Sequence, residues 1–352
     1  MPIEASHDGK AKERQSKVDK KTNQRFVTPI VTLLNGLLSL LLAIIVLDLP
    51  HSNFKTPFIR SGDSDFYVMI SSNIRDSGWA VNNSHLGYPK GQHLNDFPQT
   101  ADNLHILILK FLNIFTTDAK SVNIFYVLTF IFASTAMFFA TKRLVKNNLI
   151  AIVVSQLFAF APYHLIRGSN HLFLSGYYAI PLVLITLYFL TQKTNISYKE
   201  IIIVAIISAS TGAYYGIFSL FTCLLCVLIC FVNGGIKKNI YLKKSVIFGA
   251  VSAITFILNL LPSLLYIMKH GENTSVASRS PGETEIYGLQ ITDMFFPRTG
   301  HRIGTFARLA GKIHDTPVPS ELGQALGIIA SLSIILVGML AFRSFFSDKK
   351  FP

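Results

Sequence analysis

The chain has 352 residues, half of them hydrophobic and only 14% charged, with a mean hydropathy of +0.44, which excludes an ordinary soluble globule. The net charge of +13 lies in short basic patches beside apolar stretches, the pattern of membrane topology, so no nucleic-acid partner is expected. Uncharged stretches recur at the roughly 20 residues that cross a hydrocarbon core. The expected fold is all-α and polytopic, with about eight transmembrane helices and a long first outer loop carrying interfacial helices.

Residues 1–25 form a basic tail, and 26–352 read as a single transmembrane domain. The first span, Phe26–Leu47, is longer than a signal-peptide core and lacks a small-residue cleavage site, so it reads as an uncleaved anchor. Its basic flank places the amino terminus in the cytoplasm of a multi-pass cell (inner or plasma) membrane protein.

The outer loop 49–121 follows. It opens through Pro50-His51 to Gly62-Asp63-Ser64-Asp65-Phe66, and a helix is expected over Asp65–Arg75. Aspartate at a helix start accepts backbone N–H bonds and suits the positive end of the dipole. One start needs one cap, so either Asp63 or Asp65 is left for chemistry. Gly78-Trp79 reads as an interface anchor. The run Gly87-Tyr88-Pro89-Lys90-Gly91-Gln92-His93-Leu94 reads as consecutive turns. Asp96-Phe97-Pro98 and Ala101-Asp102-Asn103 come next. His93, Asp96 and Asp102 are candidate ligands of a divalent cation, but their spacing matches no strong metal motif, and binding or capping is the plainer reading. Leu104–Thr116 is apolar yet reaches only about 20 Å, so it is expected to lie in the interface with Lys110 on its wet face.

Further spans are expected at Val122–Thr141, Leu149–Ile166, Leu172–Gln192, Ile201–Tyr215, Gly216–Val232, Ser245–Met268 and Gln324–Phe342. Lys142, Arg143 and Lys146, then Lys193 and Lys199, then Lys237, Lys238, Lys243 and Lys244, then Lys349 and Lys350 all fall on the side of the amino-terminal bases. That parity holds only if Glu200 to Lys237 crosses twice, with a break near Thr211-Gly212-Ala213-Tyr214-Tyr215-Gly216. Such a break needs shielding by protein or a cavity; the Gly212/Gly216 spacing also fits a helix-packing motif. Cys223, Cys226 and Cys230 share one helix face and read as small packing residues.

Two outer-face elements sit at span ends. Pro162-Tyr163-His164-Leu165-Ile166-Arg167-Gly168-Ser169-Asn170-His171 places Arg167 between two surface histidines. In the outer loop 269–323, Phe296-Pro297-Arg298-Thr299-Gly300-His301-Arg302 follows Glu283 and Glu285. Arginine beside glycine suits planar, bidentate phosphate recognition; contact with anionic lipid headgroups is the alternative.

One span, a long outer loop opening on an Asp-x-Asp element, two surface helices within it and a multi-span bundle: this layout resembles the GT-C superfamily of membrane glycosyltransferases. Asp63-Ser64-Asp65 matches the superfamily's acidic element by position. The runs from Gly62 through Tyr88-Pro89-Lys90-Gly91 and Asp96-Phe97-Pro98, Pro162 to His171, and Pro297 to Arg302 resemble its bacterial members. The resemblance implies sugar transfer from a polyprenyl-phosphate donor to a glycan, lipid or protein acceptor, with inversion. Asp63 or Asp65 is then the expected general base. Arg167, Arg298, Arg302, His171 and His301 face the lipid phosphate, and Tyr88, His93 and Asp96 the saccharides. Superfamily members often run longer, so the sequence reads as a possible truncation. A transporter or flippase of lipid-linked saccharides and a non-catalytic membrane fragment are the rival readings.

Overall fold

The computed structural model describes residues 29–60, 62–96, 101–168, 170–234, 239–275, 280–283, 288, 291–297, 300–314 and 325–345. The basic tail, Lys237, Lys238, Glu285, Arg298, Lys349 and Lys350 lie outside them.

This is an all-α membrane protein whose described residues include one two-stranded sheet. Among the described residues five apolar stretches are long enough to cross a membrane: α1 (Pro29–Val46), α4 (Asp118–Leu144), α5 with α6 (Asn148–Ala159 and Pro162–Arg167), α9 (Ala213–Gly234) and α10 (Ile240–His270). The bend between α5 and α6 falls ahead of Pro162, which suits a first helical turn because it has no N–H to leave unpaired. Two expected spans are shorter than foreseen. Leu172–Ser175 is a 3₁₀ turn, so α7 runs only from Ala179 to Thr191. The next helix, α8, is Tyr198–Ala209, 12 residues or about 18 Å. The last, α13, is Ile328–Phe345, after two short helices in the final loop, α11 (Ile291–Phe295) and α12 (Gly304–His314).

The segment between α1 and α4 folds onto the bundle. It carries α2 (Ser64–Ser77), strands β1 (Asn82–Asn83) and β2 (Gln92–His93) paired antiparallel, and α3 (Asn103–Asn113). Arg75 staples this layer. Its guanidinium donates to Asp118 Oδ1 at 2.8 Å, Asn113 O at 3.1 Å and Thr116 O at 2.6 Å. α3 buries His105, Ile106, Leu109 and Asn113 and exposes Leu107 and Phe111. Lys110 is less free than expected: its ammonium donates to Gly78 O at 2.8 Å and lies 5.7 Å from the Trp79 ring centroid.

The break between α8 and α9 is sealed by protein. Leu104 N–H donates to Ser210 O at 2.9 Å, and the Asn259 amide of α10 donates to Ala209 O at 2.9 Å. Gly212 makes the turn at φ +122°, outside both helices, so the pair is not a helix-packing motif; Gly216 alone packs between helices, where a Cβ would stand 2.9 Å from Phe256 of α10. The three cysteines are free and buried between α7, α8 and α10, the packing role expected of them.

Arg143, Lys193 and Lys244, three bases of the clusters expected on one side, lie at the same end of the bundle. Arg143 grips Glu200 through both guanidinium branches, Lys193 donates to Asn233 O at 3.3 Å, and Lys244 donates to Ile196 O at 2.6 Å.

Candidate functional site at the opposite end

Asp63 occupies the position before α2 with φ −87° and ψ 8°, and its side chain makes no capping bond. Capping residues are typically extended, and this turned-in backbone carries the carboxylate away from the helix amides. The expectation that Asp63 or Asp65 caps α2 through its side chain is therefore corrected for Asp63. Its Oδ2 lies 3.2 Å from His171 Nδ1, across more than a hundred residues of chain. Asp65 Oδ2 accepts from Arg60 Nε at 3.3 Å. Both carboxylates are more than half exposed, Asp63 by 55% and Asp65 by 63%.

Glycines bring the two loops together. Gly62 takes φ +55°, and a Cβ there would touch Asn170 at 3.7 Å; Gly168 takes φ +47°, and its Cβ would press on Ile59 at 3.2 Å. These left-handed conformations favour glycine. Arg167 lies 5.8 Å over the Tyr163 ring, and its carbonyl accepts from His171 N–H at 3.0 Å. Asp63 and His171 thus meet where the start of α2 touches the turn after α6, with Asp65 two residues along α2 and Arg167 at the end of α6.

The remaining candidates sit elsewhere. His93 Nε2 is 2.8 Å from the Tyr266 hydroxyl, and Asp96 Oδ2 accepts from the Asn273 amide at 2.9 Å. These contacts tie the loop to the C-terminal end of α10, where Tyr266 also stacks on His270 with centroids 4.2 Å apart. Tyr88 is 97% exposed at the turn beyond the strands. His301 Nδ1 accepts from Ile303 N–H at 3.1 Å and its ring abuts Phe306; Arg302 is exposed. Arg298 lies outside the described residues.

His164, expected at the surface, is fully buried. Its ring stacks on Phe130 at 3.8 Å, Nδ1 lies 2.8 Å from Ala159 O, and Nε2 lies 2.9 Å from Thr129 Oγ1. With both nitrogens engaged, burial costs the ring little.

The suggested metal trio does not converge. His93 and Asp96 stand 3.9 Å apart, while Asp102 pairs with His105 at 3.4 Å. Among the described residues no group of three such side chains is placed to hold an ion, so no chemistry is routed through one. Burial pushes the Asp102 carboxyl above the usual carboxylate range, with His105 opposing the shift.

Sequence reasoning missed Arg60, Tyr266 and His105. Only His105 carried a signal, its spacing of three from Asp102 on an apolar helix.

A family model described as a domain of unknown function (DUF6311) matches residues 37–346, and the chain belongs to that family. No curated protein and no solved structure matches it.

Proposed function

We propose that this member of the DUF6311 family is a glycosyltransferase of the GT-C kind, acting at the outer face of the cell membrane on a polyprenyl-phosphate-linked sugar. The reading takes the chain as crossing about eight times, with the basic end cytoplasmic by the positive-inside rule. The observation that carries it is the Asp63–His171 pair, an exposed carboxylate steadied by an imidazole from a distant loop.

In this reading His171 Nδ1–H donates to Asp63 Oδ2 and leaves Oδ1 for an acceptor hydroxyl. Asp63 takes the hydroxyl proton while the acceptor oxygen bonds to the anomeric carbon. The bond from that carbon to the phosphate oxygen breaks, and its electron pair leaves with the lipid phosphate. The departing charge needs fixed cations; Arg167, four residues before His171 in the chain, is one candidate, with Arg298, Arg302 and His301 of the last loop as the others. Asp65, held by Arg60, shapes the rim, and Tyr88, His93 and Asp96 meet the saccharides.

The test is sugar transfer from prenyl-phosphate donors by the purified full chain in vesicles. Asp63→Asn is expected to lose about 10²–10⁴-fold, the usual worth of a positioned base, and Asp65→Asn clearly less. Wild-type transfer by folded Asp63→Asn removes the base assignment. Wild-type protein that translocates lipid-linked saccharide and transfers none favours a flippase.

A further inference from the structure

Beneath the outer loops lies a polar cluster that the proposed transfer does not use. Asp102 stands before α3 without capping it, and its Oδ1 is 3.4 Å from His105 Nδ1, a charge contact without hydrogen-bond alignment. His105 is fully buried, and neither ring nitrogen has a hydrogen-bond partner in the protein. Phe125, Phe173 and Tyr178 wall the ring at centroid distances of 5.4, 5.2 and 5.8 Å. The Tyr178 hydroxyl is also buried and unpartnered. These three orphaned polar atoms, from α3 and from the turn before α7, belong to two rings packed edge to face.

Their neighbours are committed elsewhere. The Tyr215 hydroxyl donates to Leu174 O and meets Tyr163, and the Tyr67 hydroxyl is engaged by the Phe173 backbone. Two glycines let the backbone come close to these groups. A Cβ on Gly176 would stand 2.5 Å from His105 Nε2, and one on Gly212 would stand 2.8 Å from Asp102 Oδ1. Buried polar groups left unpaired by protein are characteristically served by internal water, each molecule making about three such bonds.

We propose that Asp102, His105 and Tyr178 form a buried binding site for water, bridging imidazole to phenol and completing the seat of α3 against the α8–α9 break. This site stands or falls apart from any sugar chemistry.

Thermal unfolding of the full chain in nanodiscs gives the first test. Tyr178→Phe deletes one oxygen and no carbon. A bridged hydroxyl predicts a lower unfolding temperature, with Tyr178→Phe and His105→Phe together costing less than the sum of their separate losses. A dry hydroxyl predicts an unchanged or higher temperature, because an unsatisfied group has been removed; that result overturns the proposal. X-ray hydroxyl-radical footprinting of the wild type gives the second, and needs no variant to fold. Radicals form from bound water, so His105 and Tyr178 should be oxidised well above the fully buried Phe130 and Phe248. Oxidation no faster than those two phenylalanines also overturns it.

Discussion

The amide of Leu104 and the carbonyl of Ser210 are joined by a 2.9 Å hydrogen bond. The start of α3 thereby supplies a donor to a carbonyl left without a helical partner at the break between α8 and α9. Backbone left unpaired in lipid costs several kcal/mol, so the outer loop is part of what makes the α8–α9 break tolerable.

Gly176→Ala and Gly212→Ala should each destabilise by about 1–3 kcal/mol, the usual range for overpacking. The added methyl would stand 2.5 Å from His105 Nε2 in one and 2.8 Å from Asp102 Oδ1 in the other. Gly78→Ala, left-handed but with nothing within 4 Å, should lose about 1 kcal/mol. Thermal unfolding of the three variants side by side checks the order.

Glu200→Gln should cost about 1–3 kcal/mol. Arg143 and Glu200 are only 27% and 30% exposed, which limits screening by salt. Arg143 also lies 5.0 Å over the Phe189 ring, a stacked geometry that lysine does not reproduce. Arg143→Lys should therefore fail to restore stability, and equal unfolding temperatures for wild type and Arg143→Lys would contradict this.

Asp102 gives a pH dependence with a definite sign. Its folded carboxyl is raised above the ordinary 3.8, mainly by burial. The folded state thus holds this proton more firmly than the unfolded chain does. The associated stability is fully present below the unfolded value and is lost as pH climbs through the raised one. Asp102→Asn should flatten that decline, gaining on wild type at neutral pH. Unfolding temperatures from mildly acidic to neutral pH measure it; parallel curves would refute it.

Sidedness is open to labelling, since the three native cysteines are buried. Tyr88→Cys should react with an impermeant maleimide on intact cells. Lys146→Cys, at the basic end, should react only after permeabilisation. The reverse pattern inverts the topology and removes the proposed enzyme.

Much of the architecture was legible because it rests on lipid thermodynamics. Uncharged length located α1, α4, α9 and α10, and charge parity required the break that Gly212 makes. The boundary of α7 was not legible: Leu172–Ser175 is as apolar as the helix it precedes, and only its packing under His105 and Tyr67 sets it as a turn. At the site, Asp63 and His171 could be named singly from their positions beside spans. Their pairing depended on Gly62 and Gly168 bringing distant loops together, which no local pattern encodes. His164 misled because a histidine at a span end looks exposed, whereas Phe130 and Thr129 offered it a closed slot.

Trp79 is the sequence's single tryptophan, and it sits under the Lys110 ammonium at the junction of α2 with α3. Intrinsic indole fluorescence of this protein therefore comes from one address. Lifting of α3 away from the bundle would register as a change in emission colour, so the molecule carries its own optical gauge of that movement, free of any attached dye.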